Sequence, residues 1–183
     1  DTADYSYLAT GFTATLVSTG TAYVNAAAGD LDTLFLVENI WGGAAADTLV
    51  GDAAANLLRG NGGNDRLDGA GGSDTIDYGY LSDGVVATLN VAGTATVTAG
   101  AGDTDLLVGI ENVFGGSGAD TLVGDGTANL LRGNLGNDTL DGGAGADTAD
   151  YGYLSVGLTA TLASTGTATV VSAAGDTDIL VGI

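Results

Sequence analysis

The chain has 183 residues, enough for one ordinary domain, and it carries a net charge of −20. Of its 23 acidic residues only Glu38 and Glu111 are glutamate, and three Arg are its only basic residues. This charge excludes surfaces that attract nucleic acids or anionic lipids, and a hydrophobic content of 45% excludes the composition of a disordered chain.

Residues 1–41 are rich in Thr, Val and Ala, and residues 78–114 have the same character. Gly84–Asn90 reads GVVATLN, in which β-branched residues alternate with small ones, a pattern that favours short strands. A long helix is not expected because 33 Gly are spread evenly along the chain. Tyr78 and Tyr80 belong to a recurring Tyr-x-Tyr-Leu whose rings are predicted to pack on a neighbouring layer.

Residues 42–77 step in nines, as GGAAADTLV, GDAAANLLR, GNGGNDRLD and GAGGSDTID, and residues 115–150 repeat this arrangement. The underlying pattern is Gly-Gly-x-Gly-x-Asp-x-hydrophobic-x. The Gly-rich half is predicted to turn the chain, because Gly tolerates positive φ, and the other half is predicted to form a short strand. The eighth residue of each step is predicted to point into an apolar core: Leu49, Leu58, Leu67, Ile76, Leu122, Leu131, Leu140 and Ala149.

A longer repeat is also present, because residues 1–73 and 74–146 align without a gap and residues 147–183 begin a third copy. In the first copy Thr-rich strands at 1–41 precede nonapeptides at 42–77, which run into the second copy. In the second copy Thr-rich strands at 78–114 precede nonapeptides at 115–150. Asp1 matches the sixth place of a nonapeptide, so we expect a piece of a longer repetitive protein.

Eight nonapeptides in two runs resemble the RTX family of secreted, calcium-binding β-roll proteins. The resemblance implies an all-β fold, a parallel β-roll or β-solenoid with calcium-binding Gly-rich turns, in which two nonapeptides form one coil. The 73-residue unit is close to four such coils. The Thr-rich segments could therefore continue the solenoid, or they could form a small antiparallel sheet beside it.

Turns on the same side of such a roll are two nonapeptides apart, and the resemblance implies that each acidic pair there holds one Ca²⁺. The second nonapeptide of each run departs from the pattern, so its sites are expected to be weaker, or empty and bridged by Asn. An ordinary Asx turn would explain one such unit, but not eight units with a fixed apolar place. The implied pairs are Asp47 with Asp65, Asn56 with Asp74, Asp120 with Asp138, and Asn129 with Asp147.

Peptide carbonyls would complete the six to eight oxygen ligands that Ca²⁺ takes, whereas zinc would need His or Cys. The Asp-x-Asp sequences at 30–32, 103–105 and 176–178 could bind a further ion or form solvated turns. Further side-chain candidates are Asp52, Asp125, Asp1, Asp103 and Asp105. The implied carbonyl ligands belong to Gly42, Gly60, Gly63, Gly115, Gly118, Gly133, Gly136 and Gly142.

Without His, Cys or Lys the chain lacks the usual bases and nucleophiles, so we do not expect an enzyme. The resemblance implies a calcium-stabilised extracellular stalk, fibre or surface-layer filament on a Gram-negative bacterium, folding on calcium after type I secretion. Its expected partners are calcium ions and further copies, end to end or side by side, without nucleic acid or membrane insertion. One alternative is the C-terminal folding module of a secreted enzyme. Another is an ice-binding solenoid with Thr rows such as Thr13–Thr15.

Overall fold

A computed structural model of the chain describes residues 1–19, 21–27, 30–90, 94–99, 102–163 and 166–183. In these ranges the regular structure is all β, and the strands are short because Gly-rich turns interrupt them every few residues. In chain order they are β1 Thr2–Asp4, β2 Thr13–Thr15, β3 Ala22–Ala27, β4 Asp30–Leu34, β5 Asn39–Trp41, β6 Thr48–Val50, β7 Leu57–Arg59, β8 Arg66–Asp68, β9 Thr75–Asp77, β10 Val86–Thr88, β11 Thr94–Ala99, β12 Asp103–Val108, β13 Asn112–Phe114, β14 Thr121–Val123, β15 Leu130–Arg132, β16 Thr139–Asp141, β17 Thr148–Ala149, β18 Leu158–Leu162, β19 Thr167–Ser172 and β20 Thr177–Val181.

One face of the roll is a parallel sheet that has seven strands in the described residues, in the order β1-β5-β7-β9-β13-β15-β17. Neighbouring strands are in register at fixed offsets. Asn39 lies opposite Leu57, and Leu57 lies opposite Thr75, so each of these two steps across the sheet advances the chain by two nonapeptides. The prediction that two nonapeptides form one coil is therefore correct.

The opposite face is a mixed sheet, which the described residues build from 13 strands in the order β18-β19-β20-β16-β14-β10-β11-β12-β8-β6-β2-β3-β4. Nonapeptide strands pair in parallel, as β6 with β8 and β14 with β16. Each Thr-rich segment contributes three antiparallel strands, such as β10, β11 and β12. β12 continues in parallel with β8, and β10 continues in parallel with β14.

The Thr-rich segments therefore combine the two predicted arrangements, since each is an antiparallel meander that belongs to the mixed sheet of the roll. The prediction of nearly four coils for each repeat is wrong. Thr2 lies opposite Asn39, 37 residues later, so the meander and its strand of the parallel sheet together make one long coil. Two coils of two nonapeptides each follow, so three coils lead from Thr2 to the equivalent Thr75.

The core lies between the two sheets and is built mainly from the eighth place of the nonapeptides. As predicted, these side chains are fully buried, apart from the half-buried Ala149. The meanders add alternate residues such as Ala87, Val97 and Leu107, and the parallel sheet adds Ile40 and Val113. Burying this apolar ladder removes apolar surface from water in every coil, at roughly 25 cal/mol per Å².

The outer face of the parallel sheet carries a ladder of aromatic, Arg and Asp side chains. Arg59 lies over the Trp41 ring at 4.3 Å and pairs with Asp77, and Arg132 lies over the Phe114 ring at 4.0 Å. Trp41 and Phe114 thus stack against guanidinium groups on the outside, where cation–π attraction holds them. Their neighbours Ile40 and Val113 are the buried residues.

Membrane insertion was not expected from the sequence. In the part of the chain that the structure describes, no helix has the length and apolar character needed to cross a bilayer.

Candidate metal centres

The acidic residues at the sixth place of the nonapeptides form a ladder of hydrogen bonds from coil to coil. The backbone N–H of Asp47 donates to Oδ1 of Asp65 over 2.8 Å, and the N–H of Asp65 donates to Oδ1 of Asp105 over 2.9 Å. The second repeat has the same ladder, from Asp120 to Asp138 and on to Asp178. Each carboxylate thereby satisfies a buried N–H that the turn would otherwise leave without a partner.

The opposite side of the roll has the matching ladder. The N–H of Asn56 donates to Asp74 over 2.8 Å, and that of Asn129 donates to Asp147 over 2.9 Å. The N–H of Asp74 in turn donates to Oε2 of Glu111. All four pairs proposed from the spacing of two nonapeptides are therefore adjacent in space.

Within each Asp–Asp pair the two members differ in their second side-chain oxygen. Oδ2 of Asp47 accepts a hydrogen bond from Gly43, and Oδ2 of Asp120 accepts one from Gly116. In contrast, Oδ2 is buried without a hydrogen-bond partner in every second member, namely Asp65, Asp74, Asp138 and Asp147. A buried carboxylate oxygen without a partner is costly, and a bound cation would remove that cost.

Each of these free oxygens lies against the first Gly of its own nonapeptide: Gly60, Gly69, Gly133 and Gly142. A Cβ at Gly69 would come within 2.5 Å of Asp74 Oδ2 and 2.4 Å of the Gly109 carbonyl oxygen. At Gly142 a Cβ would come within 2.6 Å of Asp147 Oδ2 and 2.7 Å of the Gly182 carbonyl oxygen. Any side chain would fill these positions, so Gly allows a carboxylate and a carbonyl of the next coil to face the same point.

Burial raises the pKa of the carboxylates in the ladder. Burial, together with neighbouring acids such as Asp105 and Asp178, raises the pKa of Asp65 and that of Asp138 to about 7. The pKa of Asp74 and that of Asp120 rise to about 6, mainly through burial. These sites therefore favour a neutralising partner, either a proton or a metal cation.

In the second nonapeptide of each run the sixth place is Asn, whose side-chain amide both accepts and donates a hydrogen bond. Oδ1 of Asn56 accepts from the N–H of Asp52, and its Nδ2 donates to the Glu38 carbonyl over 2.7 Å. Asn129 makes the equivalent bonds with Asp125 and the Glu111 carbonyl. An Asp could not donate the second bond, so this departure from the pattern creates an amide bridge between coils.

A family model described as the RTX calcium-binding nonapeptide repeat, in four copies, matches residues 41–76 and again residues 114–149. These two segments contain the turns and free carboxylate oxygens described above. These two segments are therefore similar to RTX calcium-binding nonapeptide repeats. A search of curated proteins found no match for the chain.

The RTX turns fit calcium in their donor chemistry, because they offer carboxylate and carbonyl oxygens and no sulfur or imidazole. Over the described residues, no three acidic side chains form a metal-binding group, so peptide carbonyls must supply much of each ligand shell. The side chains best placed to hold Ca²⁺ are those with a free oxygen: Asp65, Asp74, Asp138 and Asp147. A bound ion would neutralise these carboxylates and connect adjacent coils.

The carbonyls proposed as ligands have different surroundings in the RTX turns. Those of Gly42 and Gly115 accept hydrogen bonds from the amides of Asn61 and Asn134, both at 2.6 Å. The carbonyl oxygens of four others lie close to a Gly of a neighbouring coil: Gly60, Gly118, Gly133 and Gly142. The remaining two adopt positive φ of 111° and 115°, which favours Gly: Gly63 and Gly136.

The additional acidic candidates have different surroundings from one another. Asp52 and Asp125 accept hydrogen bonds from Ala54 and Thr127, which makes them Asx-turn residues in their own loops. Asp1 is exposed and its amino group pairs with Glu38. Among the Asp-x-Asp sequences, Asp103 is half-buried at the start of β12, whereas Asp105 is buried within the ladder.

Sequence reasoning missed the residue that completes the ladder, which is a tyrosine. The Tyr78 hydroxyl donates to Asp105 Oδ2 over 2.8 Å, and the Tyr151 hydroxyl donates to Asp178 Oδ2 over the same distance. The two partners of each bond are far apart in sequence. The recurring Tyr-x-Tyr-Leu was the available signal, but only the long coil shows that its first ring reaches the acid of β12 or β20.

Proposed function

We propose that the chain is part of an extracellular structural or adhesive repeat region, a stalk or filament that calcium binding folds and stiffens after secretion. The observation that carries the proposal is the set of four buried carboxylate oxygens without partners, repeated at equivalent turns of both runs. Each faces the junction between coils, so ions bound there would join one coil to the next. A repeat held together in this way can be added many times without changing its neighbours.

The size of the calcium effect follows from linkage. At free calcium ten times the dissociation constant, each site would stabilise the fold by about 1.4 kcal/mol. Four such sites would contribute about 6 kcal/mol, which is comparable with the whole stability of an ordinary domain. In a cytosol with little free calcium this contribution would vanish, which supports an unfolded chain before type I secretion from a Gram-negative cell and a folded one outside.

A structural role is favoured over an enzyme module because the meander joins the two RTX runs within one continuous sheet. Such a connection suits a repeat whose copies stack without a boundary. We propose no catalytic role for the chain itself, since its acidic clusters recur at equivalent places in each repeat. Ice binding through the Thr-rich segments remains a separate hypothesis.

The proposal is tested by calcium titration of the chain, followed by far-UV circular dichroism and small-angle X-ray scattering. We expect strand signal and an elongated particle with millimolar calcium, and loss of both when a chelator is added. Magnesium at the same concentration serves as the control, because it prefers stricter octahedral geometry with retained waters. A chain that keeps its strand signal and dimensions in excess chelator would refute calcium-dependent folding.

A further inference from the structure

The outer face of the mixed sheet carries a continuous row of β-branched side chains without charge. Its members lie opposite one another on eight consecutive strands, from β12 through β11, β10, β14, β16, β20 and β19 to β18. We call it the threonine row, and it consists of Thr104, Thr98, Val86, Thr121, Thr139, Ile179, Thr169 and Thr161.

The row faces outward because the residues next to it on strands such as β10, β14 and β16 are buried in the core. Ala87, Leu122 and Leu140 are fully buried, whereas Val86 is 54% exposed and Ile179 is 46% exposed. Leu106 and Val171, also on the outer face, are 41% and 42% exposed. Large apolar side chains thus remain in contact with water at several places along one face of the sheet.

The absence of charge on this row is unusual for a chain with a net charge of −20. Charged side chains on this face lie beside the row: Arg66 pairs with Asp68, and Asp141 accepts a hydrogen bond from Gly143. Two molecules of equal negative charge repel each other over most of their surfaces. The threonine row is a face through which two such molecules can approach without placing carboxylates against each other.

We propose that the threonine row is a side-by-side docking face for a second copy of this chain, packed sheet against sheet. The inference rests on the proposed function, since only the calcium-bound roll presents the row. Packed sheets lie about 10 Å apart and interlock through side chains of the β-branched kind that form this row. A twofold arrangement places the same row on both partners.

The area of the face agrees with a dimer of modest affinity. Eight strands at about 4.8 Å spacing give a row roughly 34 Å long, and two or three neighbouring residue rows give a width of roughly 14–20 Å. The product is on the order of 500–700 Å² per partner, close to the roughly 800 Å² of a standard interface. The association should therefore depend on concentration.

Sedimentation velocity of the chain in millimolar calcium tests the proposal, using the double variant Thr121→Glu with Thr169→Glu. We expect the wild type to form dimers as concentration rises, and the variant to associate at least roughly tenfold more weakly, because it places carboxylates against each other. The matched control is Thr2→Glu with Ser155→Glu, which adds the same charge at exposed positions outside the row. The control should dimerise like the wild type.

Circular dichroism of each sample separates the possible failures. A wild type that folds with calcium but stays monomeric at high concentration overturns the docking face alone, even if the chain shapes growing ice crystals. Equal dimerisation of the row variant and the control would also overturn it. A chain that does not fold with calcium would overturn the proposed function and the docking face together.

Discussion

At the scale of single residues, Asp138 has two side-chain oxygens with separate roles. Oδ1 accepts a structural hydrogen bond, whereas the free Oδ2 is the proposed metal ligand. Asp138→Asn keeps Oδ1, which accepts the bond from Asp120, but removes a buried acid whose pKa is raised to about 7. We expect the calcium-free fold to become more stable, by on the order of 1 kcal/mol, because a buried charge without a partner is lost. We also expect calcium affinity at this turn to fall several-fold.

Isothermal titration calorimetry and urea unfolding, each with and without calcium, measure these two opposite effects of Asp138→Asn. Asp141→Asn is the matched control, because Asp141 is on the outer face and accepts a bond from the neighbouring turn. It should leave calcium binding unchanged. Unaltered calcium affinity and stoichiometry in Asp138→Asn would show that this carboxylate is not a ligand.

Tyr78 is the second residue with a specific expectation. Tyr78→Phe removes the hydroxyl that donates to Asp105 Oδ2 and leaves a buried carboxylate oxygen without a partner. The cost should be about 1–3 kcal/mol of unfolding free energy in saturating calcium, measured by urea unfolding. Tyr7→Phe, at a ring that is 70% exposed, should have almost no effect. Equal effects of the two substitutions would contradict the role assigned to the Tyr78 hydroxyl.

At the scale of strands and coils, the apolar residue at the eighth place holds the two sheets together. Leu131→Ala should reduce the unfolding free energy by about 2–5 kcal/mol, because this side chain is fully buried between the sheets. Leu135→Ala in the next turn removes the same atoms from a side chain that is 50% exposed, and it should cost less than about 0.5 kcal/mol. Thermal unfolding in calcium compares them, and similar losses would contradict the assignment of the core.

The nonapeptide coils could be predicted from sequence because turn, ligand and core positions recur at a fixed spacing. The meanders could not, because alternation such as that of Thr94–Ala99 is the same in a parallel and an antiparallel strand. The outward position of Trp41 could not be predicted either, because its partner Arg59 lies on the neighbouring strand. The free oxygen of Asp65 could not be predicted either, because Asp65 and Asp47 are both the Asp at the sixth place of a nonapeptide. Only the structure shows that Oδ2 of Asp47 accepts a bond from Gly43 and that Oδ2 of Asp65 has no partner.

At the scale of the whole molecule, the raised pKa values couple folding to pH when calcium is absent. Asp65 and Asp138 have a folded pKa of about 7, Asp74 and Asp120 one of about 6, and an unfolded Asp one of about 3.9. Between these values the folded chain binds more protons than the unfolded chain. The stability that they contribute is therefore fully present below about pH 4 and is lost as the pH rises to about 7.

Protonation of these carboxylates at lower pH should therefore stabilise the fold in part, as bound calcium does. We expect the metal-free chain to gain strand signal when the pH is lowered from about 7.5 to about 5.5, still above the isoelectric point of about 4.1, where precipitation would interfere. Calcium should bind more weakly at the lower pH, because protons compete for the same oxygens. Circular dichroism across this range follows the first effect on samples freed of metal and the second when calcium is titrated into them.

The double variant Asp65→Asn with Asp138→Asn separates these particular carboxylates from the general loss of negative charge on acidification. It removes the two groups with the highest folded pKa and keeps the other acids of the ladder. Its metal-free fold should already be more stable near neutral pH and should gain less on acidification than the wild type. If both chains gained the same strand signal over this pH range, overall charge would explain the response. The coupling of buried carboxylates to folding would then be refuted.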